Sequence, residues 1–141
     1  MNVCWVKTFM TVLTKMIGFL VTNDAARATT FYRDVLGFGV VSEDEYGVVF
    51  DANGTMLRLN KGRDFKPAQG TVLGWEVDDI HAAIRELSPR GVHFEQFNLP
   101  SMKQDELGVW TPPSGDRVAW FKDPDGNMLS ISQHVRKPAR K

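Results

Sequence analysis

The sequence predicts an α+β fold made of two tandem strand–helix–three-strand (βαβββ) modules, whose curved mixed sheets enclose a cleft. Three observations predict it. Residues 48 to 60 (VVFDANGTMLRLN) align without a gap to residues 120 to 132 (WFKDPDGNMLSIS), pairing Asp51 with Asp123, Gly54 with Gly126, Met56 with Met128 and Leu57 with Leu129. Two amphipathic segments, each opened by an aspartate and followed by a glycine, stand at matching places before the two copies. The length, 141 residues, suits one domain that buries roughly 70% of its unfolded surface, so core packing alone can hold it.

In chain order, residues 1 to 15 (MNVCWVKTFMTVLTK) form an apolar arm. Lys7 interrupts its apolar run, no small-residue cleavage site follows, and it is too short for the ~20 residues of a membrane span. Strand patterning starts at Met16, and the expected domain covers residues 16 to 134. Module 1 spans residues 16 to 61. It opens with a strand over 17 to 22. Asp24 then caps a helix whose Ala28, Phe31, Tyr32, Val35 and Leu36 share one face, with Gly37 at the left-handed C-terminal position. A strand over 38 to 42 follows, then a strand, turn and strand in the first repeat copy. Residues 62 to 70, with Pro67 and no apolar periodicity, link the modules.

Module 2 spans residues 71 to 134 and repeats the order. A strand over 71 to 77 precedes a helix capped by Asp79, with Ile80, Ala83, Ile84 and Leu87 on one face and Pro89 and Gly91 closing it. A strand is expected over 92 to 97, and residues 98 to 116 form a long loop rich in Pro and Gly. The second copy turns at Asp123-Pro124-Asp125-Gly126, the residues of a type I turn. Asp51-Ala52-Asn53-Gly54 is expected to turn the same way. Residues 135 to 141 are a basic tail.

Seventeen basic residues balance seventeen acidic ones. No long run of like charge points to a nucleic acid or a membrane, so neither is expected as a partner. The single cysteine, Cys4, excludes an internal disulfide and fits a reducing, cytoplasmic compartment. No nucleophile elbow, Cys-x-x-Cys, phosphate loop or dinucleotide fingerprint occurs. His81, His93 and His134 are expected to lie apart, and His93 with Glu95 on one strand face is the sole paired metal-donor candidate.

Phe31-Tyr32-Arg33-Asp34-Val35-Leu36-Gly37-Phe38, Trp75-Glu76-Val77-Asp78-Asp79-Ile80 and Phe121-Lys122-Asp123-Pro124-Asp125-Gly126-Asn127 stand in this order. With the repeat, they make residues 16 to 133 resemble the vicinal oxygen chelate (glyoxalase/bleomycin resistance protein/dioxygenase) superfamily. The resemblance implies that superfamily's fold, a ligand cleft between the modules and pairing as a homodimer. In its metalloenzymes a divalent metal is held by His, Gln or Glu from four strands. The corresponding positions here carry Ile17, Arg58, Val72 and Ser130, so no metal or other cofactor is expected.

Strand alternation lists the cleft face as Ile17, Phe19, Val21, Met56, Arg58, Asn60, Val72, Gly74, Glu76, Met128, Ser130 and Ser132. Among these Phe19, Met56, Arg58, Glu76, Met128 and Ser130 are the candidate ligand-binding residues, joined by Trp110 from the long loop and by Trp120. Trp75 has the opposite parity and is expected in the core. Arg58 and Glu76 either pair with each other, lie solvated at the mouth or await a charged ligand. Two functions follow. The first is sequestration of a small, partly apolar organic ligand without chemistry, as in the bleomycin-resistance branch. The second is a lyase, isomerase or dioxygenase-type enzyme with a displaced metal or with Glu76 as general base.

Overall fold

The computed structural model describes residues 12 to 135. The expectations for Cys4, for residues 1 to 11 of the arm and for residues 136 to 141 of the basic tail lie outside them. Among the described residues, seven strands form two sheets. Module 1 supplies β1 (Ile17–Thr22), β2 (Gly39–Glu43), β3 (Gly47–Ala52) and β4 (Thr55–Lys61), in the order β1-β4-β3-β2 with β1 parallel to β4. Module 2 supplies β5 (Thr71–Glu76), β6 (Arg117–Lys122) and β7 (Met128–Gln133), in the order β5-β7-β6 with β5 parallel to β7.

Both helices start where the sequence places them. Asp24 accepts from the Arg27 amide at 3.1 Å and opens α1 (Ala25–Thr30); Asp79 accepts from the Ala82 amide at 3.1 Å and opens α2 (Ile80–Leu87). These side chains satisfy amides that lack an intrahelical acceptor. Beyond Thr30 the chain widens into a π-type turn over Phe31–Val35. The Leu36 amide reaches back to the Phe31 carbonyl at 3.0 Å, and Gly37 follows at φ 85°.

The two turns of the repeat differ from each other, against expectation. Ala52 pairs with Thr55, so the first turn is a two-residue hairpin whose Asn53 and Gly54 have φ of 54° and 98°. Asn-Gly tolerates positive φ at both positions, and that geometry matches strand twist better than a type I turn would. The second keeps the type I form, with the Gly126 amide donating to the Asp123 carbonyl at 3.0 Å.

A second correction concerns residues 92 to 97, which form no strand. Only Phe94 bridges β6, at Phe121. The side-chain amide of Gln104 takes over the backbone groups a strand would have paired. It accepts from the Phe97 amide at 2.8 Å and donates to the Glu95 carbonyl at 2.9 Å. The edge of β6 is shared with the long loop, since Trp110 and Val118 exchange two backbone bonds of 2.9 Å.

One hydrophobic core lies under the helices and spans both modules, including Leu20, Tyr32, Phe50 and Leu59 from the first and Ile80, Ile84, Phe121 and Leu129 from the second. Phe31 meets Phe121 at 6.4 Å between ring centroids, and Phe38 meets Trp75 at 5.6 Å. Trp75 is thus part of this side of the sheet, as its parity predicts. A polar tie joins the modules as well. The buried Tyr32 hydroxyl donates to Asp123 Oδ2 at 2.6 Å. Asn127 Nδ2 donates to the same oxygen at 2.8 Å and to the Val21 carbonyl at 3.4 Å.

Candidate ligand-binding face

With both helices on one side, the other side of each sheet is left open. The register fixes what stands on it. Phe19 lies beside Arg58 and Arg58 beside Val49; Ile17 lies beside Met56 and Met56 beside Asp51. In the second sheet Gly74 lies beside Ser130 and Ser130 beside Trp120, while Glu76 lies beside Ser132 and Ser132 beside Val118. Phe19, Met56, Arg58, Glu76, Met128 and Ser130 therefore share the helix-free face. The register also places Trp120, opposite Ser130, on that face. Trp110 joins it through its bridge to Val118. The Trp110 and Trp120 rings stack at 6.2 Å, and Phe97 meets Trp120 edge-on at 5.4 Å.

These residues are not gathered into one cleft. One depression, of about 380 Å³, lies on the first sheet and is lined by Lys15, Met16, Ile17, Val41, Val49, Phe50, Asp51, Gly54 and Met56. A second of about 300 Å³ sits at the seam between modules, where Met16, Gly18 and Met56 face Leu73 and Gly74. A third of about 220 Å³ lies along the seam between Phe19, Val21 and Val72. Met56 borders the first two and Phe19 the third. Trp110, Trp120, Ser130 and Glu76 form a separate patch on the second sheet. Val41, Val49 and Asp51, which also line the first depression, are absent from the face read from the sequence because that face was drawn only from the four strands that carry the superfamily's metal positions.

Apolar side chains are unusually exposed here: Phe19 is 59%, Val41 64% and Met56 43% accessible, with Ile17 and Val72 also exposed. A Cβ on Gly74 would stand 2.6 Å from Ser130 Oγ, so any larger residue there would force the Ser130 hydroxyl to turn aside.

The charged residues do not pair with each other. Arg58 forms no ion pair among the described residues, while Glu76 stands 3.9 Å from His134. Arg58 lies near Asp44, whose carboxyl is held below its usual range by the Tyr46 and Gly47 amides, with Arg58 and Lys61 adding to the effect. Sequence reasoning considered His134 only as a histidine apart from the other two and missed this contact, and missed the bond of its Nε2 to Ser132 Oγ at 2.9 Å. His81 instead bonds Asp105 of the long loop at 2.7 Å.

The residues at the superfamily's metal positions do not fit a divalent ion. Ile17 and Val72 offer no donor, Ser130 offers one hydroxyl, and Arg58 is a fixed cation. Among the described residues no three His, Cys, Asp or Glu side chains gather, so His93 and Glu95 do not rebuild a site elsewhere. No helix among the described residues is long and apolar enough to cross a membrane.

Two sheets backed by two helices on one side and open on the other define the class. The model of the Glyoxalase/Bleomycin resistance protein/Dioxygenase superfamily matches residues 12–131, and the chain belongs to that superfamily. It is 29% identical over 128 residues to the uncharacterized protein YraH of Bacillus subtilis (strain 168), covering 79% of this chain and 91% of that one. Among solved structures, a glyoxalase/bleomycin resistance protein/dioxygenase from Nocardioides superposes with a TM-score of 0.68 at 20% identity, covering 98% of this chain and 97% of the other. The fosfomycin resistance protein FosX from Listeria monocytogenes superposes with a TM-score of 0.67 at 10% identity, covering 89% and 96%. At these identities the structures share the fold.

Proposed function

We propose that the chain binds a small, partly apolar organic ligand on its open face, without the superfamily's usual metal centre. The observation that carries this reading is the exposed apolar surface of Ile17, Phe19, Val41, Met56 and Val72 beside depressions of about 380 and 300 Å³. Exposed apolar area of this kind marks a ligand or partner site, and small-molecule pockets start near ~300 Å³. Phe19, Met56 and Arg58 hold the ligand on the first sheet. Glu76, Trp110, Trp120, Met128 and Ser130 extend the face on the second. Arg58, half-buried and without an ion pair among the described residues, selects a carboxylate or phosphate through its planar donor fork. The working location is the cytoplasm, and two copies associate so that part of the apolar face is covered.

Titration with aromatic compounds, anionic and cationic, followed by intrinsic fluorescence tests the reading. Saturable binding is expected, and Arg58→Met should weaken anionic ligands about tenfold, the loss of one charge-assisted bond. Silence across a broad library would remove the ligand reading. Elemental analysis of the purified chain is the independent check: stoichiometric zinc, nickel, manganese or iron would overturn the metal-free part. Sedimentation velocity decides the dimer.

A further inference from the structure

Ser132 lies on β7 directly opposite Glu76 of β5, and His134 returns to the same two side chains from just beyond the strand. Ser132 Oγ stands 2.9 Å from His134 Nε2, and Glu76 Oε2 stands 3.9 Å from His134 Nδ1. Hydroxyl and carboxylate thus address different ring nitrogens. A carboxylate beside Nδ1 favours the tautomer with its proton there, leaving the Nε2 lone pair to accept the hydroxyl proton. The same connectivity of nucleophile, base and orienting carboxylate recurs on unrelated folds, and its contacts often tighten only when substrate binds.

The residues on either side of His134 are anchored. Gln133 Oε1 accepts from the Ile80 amide at 2.9 Å, and the Val135 amide donates to Asp116 Oδ1 at 2.8 Å. Aromatic surface adjoins the hydroxyl. Val118 flanks Ser132 on β6 and Trp110 flanks Val118; one step along the strands, Ser130 lies between Gly74 and Trp120. The stacked indoles suit a flat aromatic group.

We propose that Ser132, His134 and Glu76 form an acyl-transfer site for aryl esters of small carboxylic acids, with the aryl group against Trp110 and Trp120. This rests on the reading of the open face as a ligand site. Ser132 Oγ attacks the ester carbonyl carbon while its proton passes to His134 Nε2. The tetrahedral adduct then expels the aryloxide, which takes that proton and leaves as a phenol. Water, deprotonated by the same nitrogen, attacks the acyl-serine, and the proton returns to Ser132 Oγ as the carboxylic acid departs. An aryloxide is a stabilised leaving group, so this class asks least of an oxyanion donor. Ser132 and His134 touch the reacting atoms; Glu76 is a positioning residue acting through His134.

The test uses the full chain with p-nitrophenyl acetate and a fluorophosphonate probe, mapping the modified residue by mass spectrometry. Phenylacetone, an isostere without the ester oxygen, is titrated separately by fluorescence. Ser132 should carry both labels and Ser132→Ala should abolish them. His134→Ala should slow labelling about a hundredfold, the usual contribution of a general base. Glu76→Gln should slow it about tenfold, a larger loss than its effect on phenylacetone affinity, while Glu76→Asp keeps part of the rate, a split that a merely structural role would not produce. A label elsewhere, or an undiminished rate in His134→Ala, overturns the proposal. Phenylacetone binding without Ser132 labelling also overturns it but leaves the ligand reading standing; absence of both overturns the two together.

Discussion

Asp123 is 4% exposed and accepts from four donors: the Asp125 and Asn127 amides at its Oδ1, the Asn127 side chain and the Tyr32 hydroxyl at its Oδ2. Burial first, and then the Asp123 carboxylate, push the Tyr32 phenol well above its ordinary range, so it stays a donor. Tyr32→Phe removes one donor from a buried carboxylate while keeping the ring, which should cost about 1–3 kcal/mol of unfolding free energy. Equilibrium urea denaturation measures this, and an unchanged m-value would show that the folded and unfolded states are otherwise intact. The sequence identified both residues but not their bond. Asp123 was legible as the first residue of a turn and Tyr32 as part of an apolar helix face, because those roles depend on near neighbours. A contact across 91 positions leaves no local pattern.

At the scale of elements, legibility followed the same division. Asp24 and Asp79 announced both helices because a cap satisfies amides within three residues, and β1 and β4 were readable from alternation. The long loop was legible as a loop but not in its conformation, since it is held by side-chain bonds without period. Asp105 anchors it, with Oδ1 accepting from the Leu107 and Val109 amides at 2.9 Å each and Oδ2 meeting His81 of α2 at 2.7 Å. Burial alone would raise the Asp105 carboxyl, but His81 and the two amides outweigh it and the net shift is downward. A carboxyl depressed in the folded state adds stability that is present above its unfolded value, ~3.9, and is lost as pH falls through the lower folded value. The loop should therefore loosen below about pH 4. Asp105→Asn should mimic this at neutral pH, speeding amide exchange at Val109 about tenfold, or ~1.4 kcal/mol, with the β3–β4 hairpin unaffected. Equal acceleration in both places would mean global rather than local opening.

The whole molecule joins two similar modules through one core, and this explains why the ligand face is spread over both sheets. Each sheet is covered by helices on one side only, and the edges β1 and β5 meet through side chains such as Leu73, whose Cδ2 lies 3.4 Å from where a Gly18 Cβ would stand. The ring contacts Phe31 with Phe121 and Phe38 with Trp75, and the Tyr32–Asp123 bond, cross from one module to the other. A module separated from its partner would expose the apolar groups that make these contacts, so the two should unfold as a unit. Trp75, Trp110 and Trp120 all lie in the second module, which makes them reporters of its state. In a Trp5→Phe background, Phe50→Leu perturbs the first module by about 1 kcal/mol, the usual size of a core swap between apolar residues of similar volume. Tryptophan fluorescence and far-UV circular dichroism should then move to lower urea together, with coincident midpoints. If the fluorescence midpoint stays where it was while the dichroism midpoint falls, the modules are independent, and a ligand seated on one sheet would not stabilise the other.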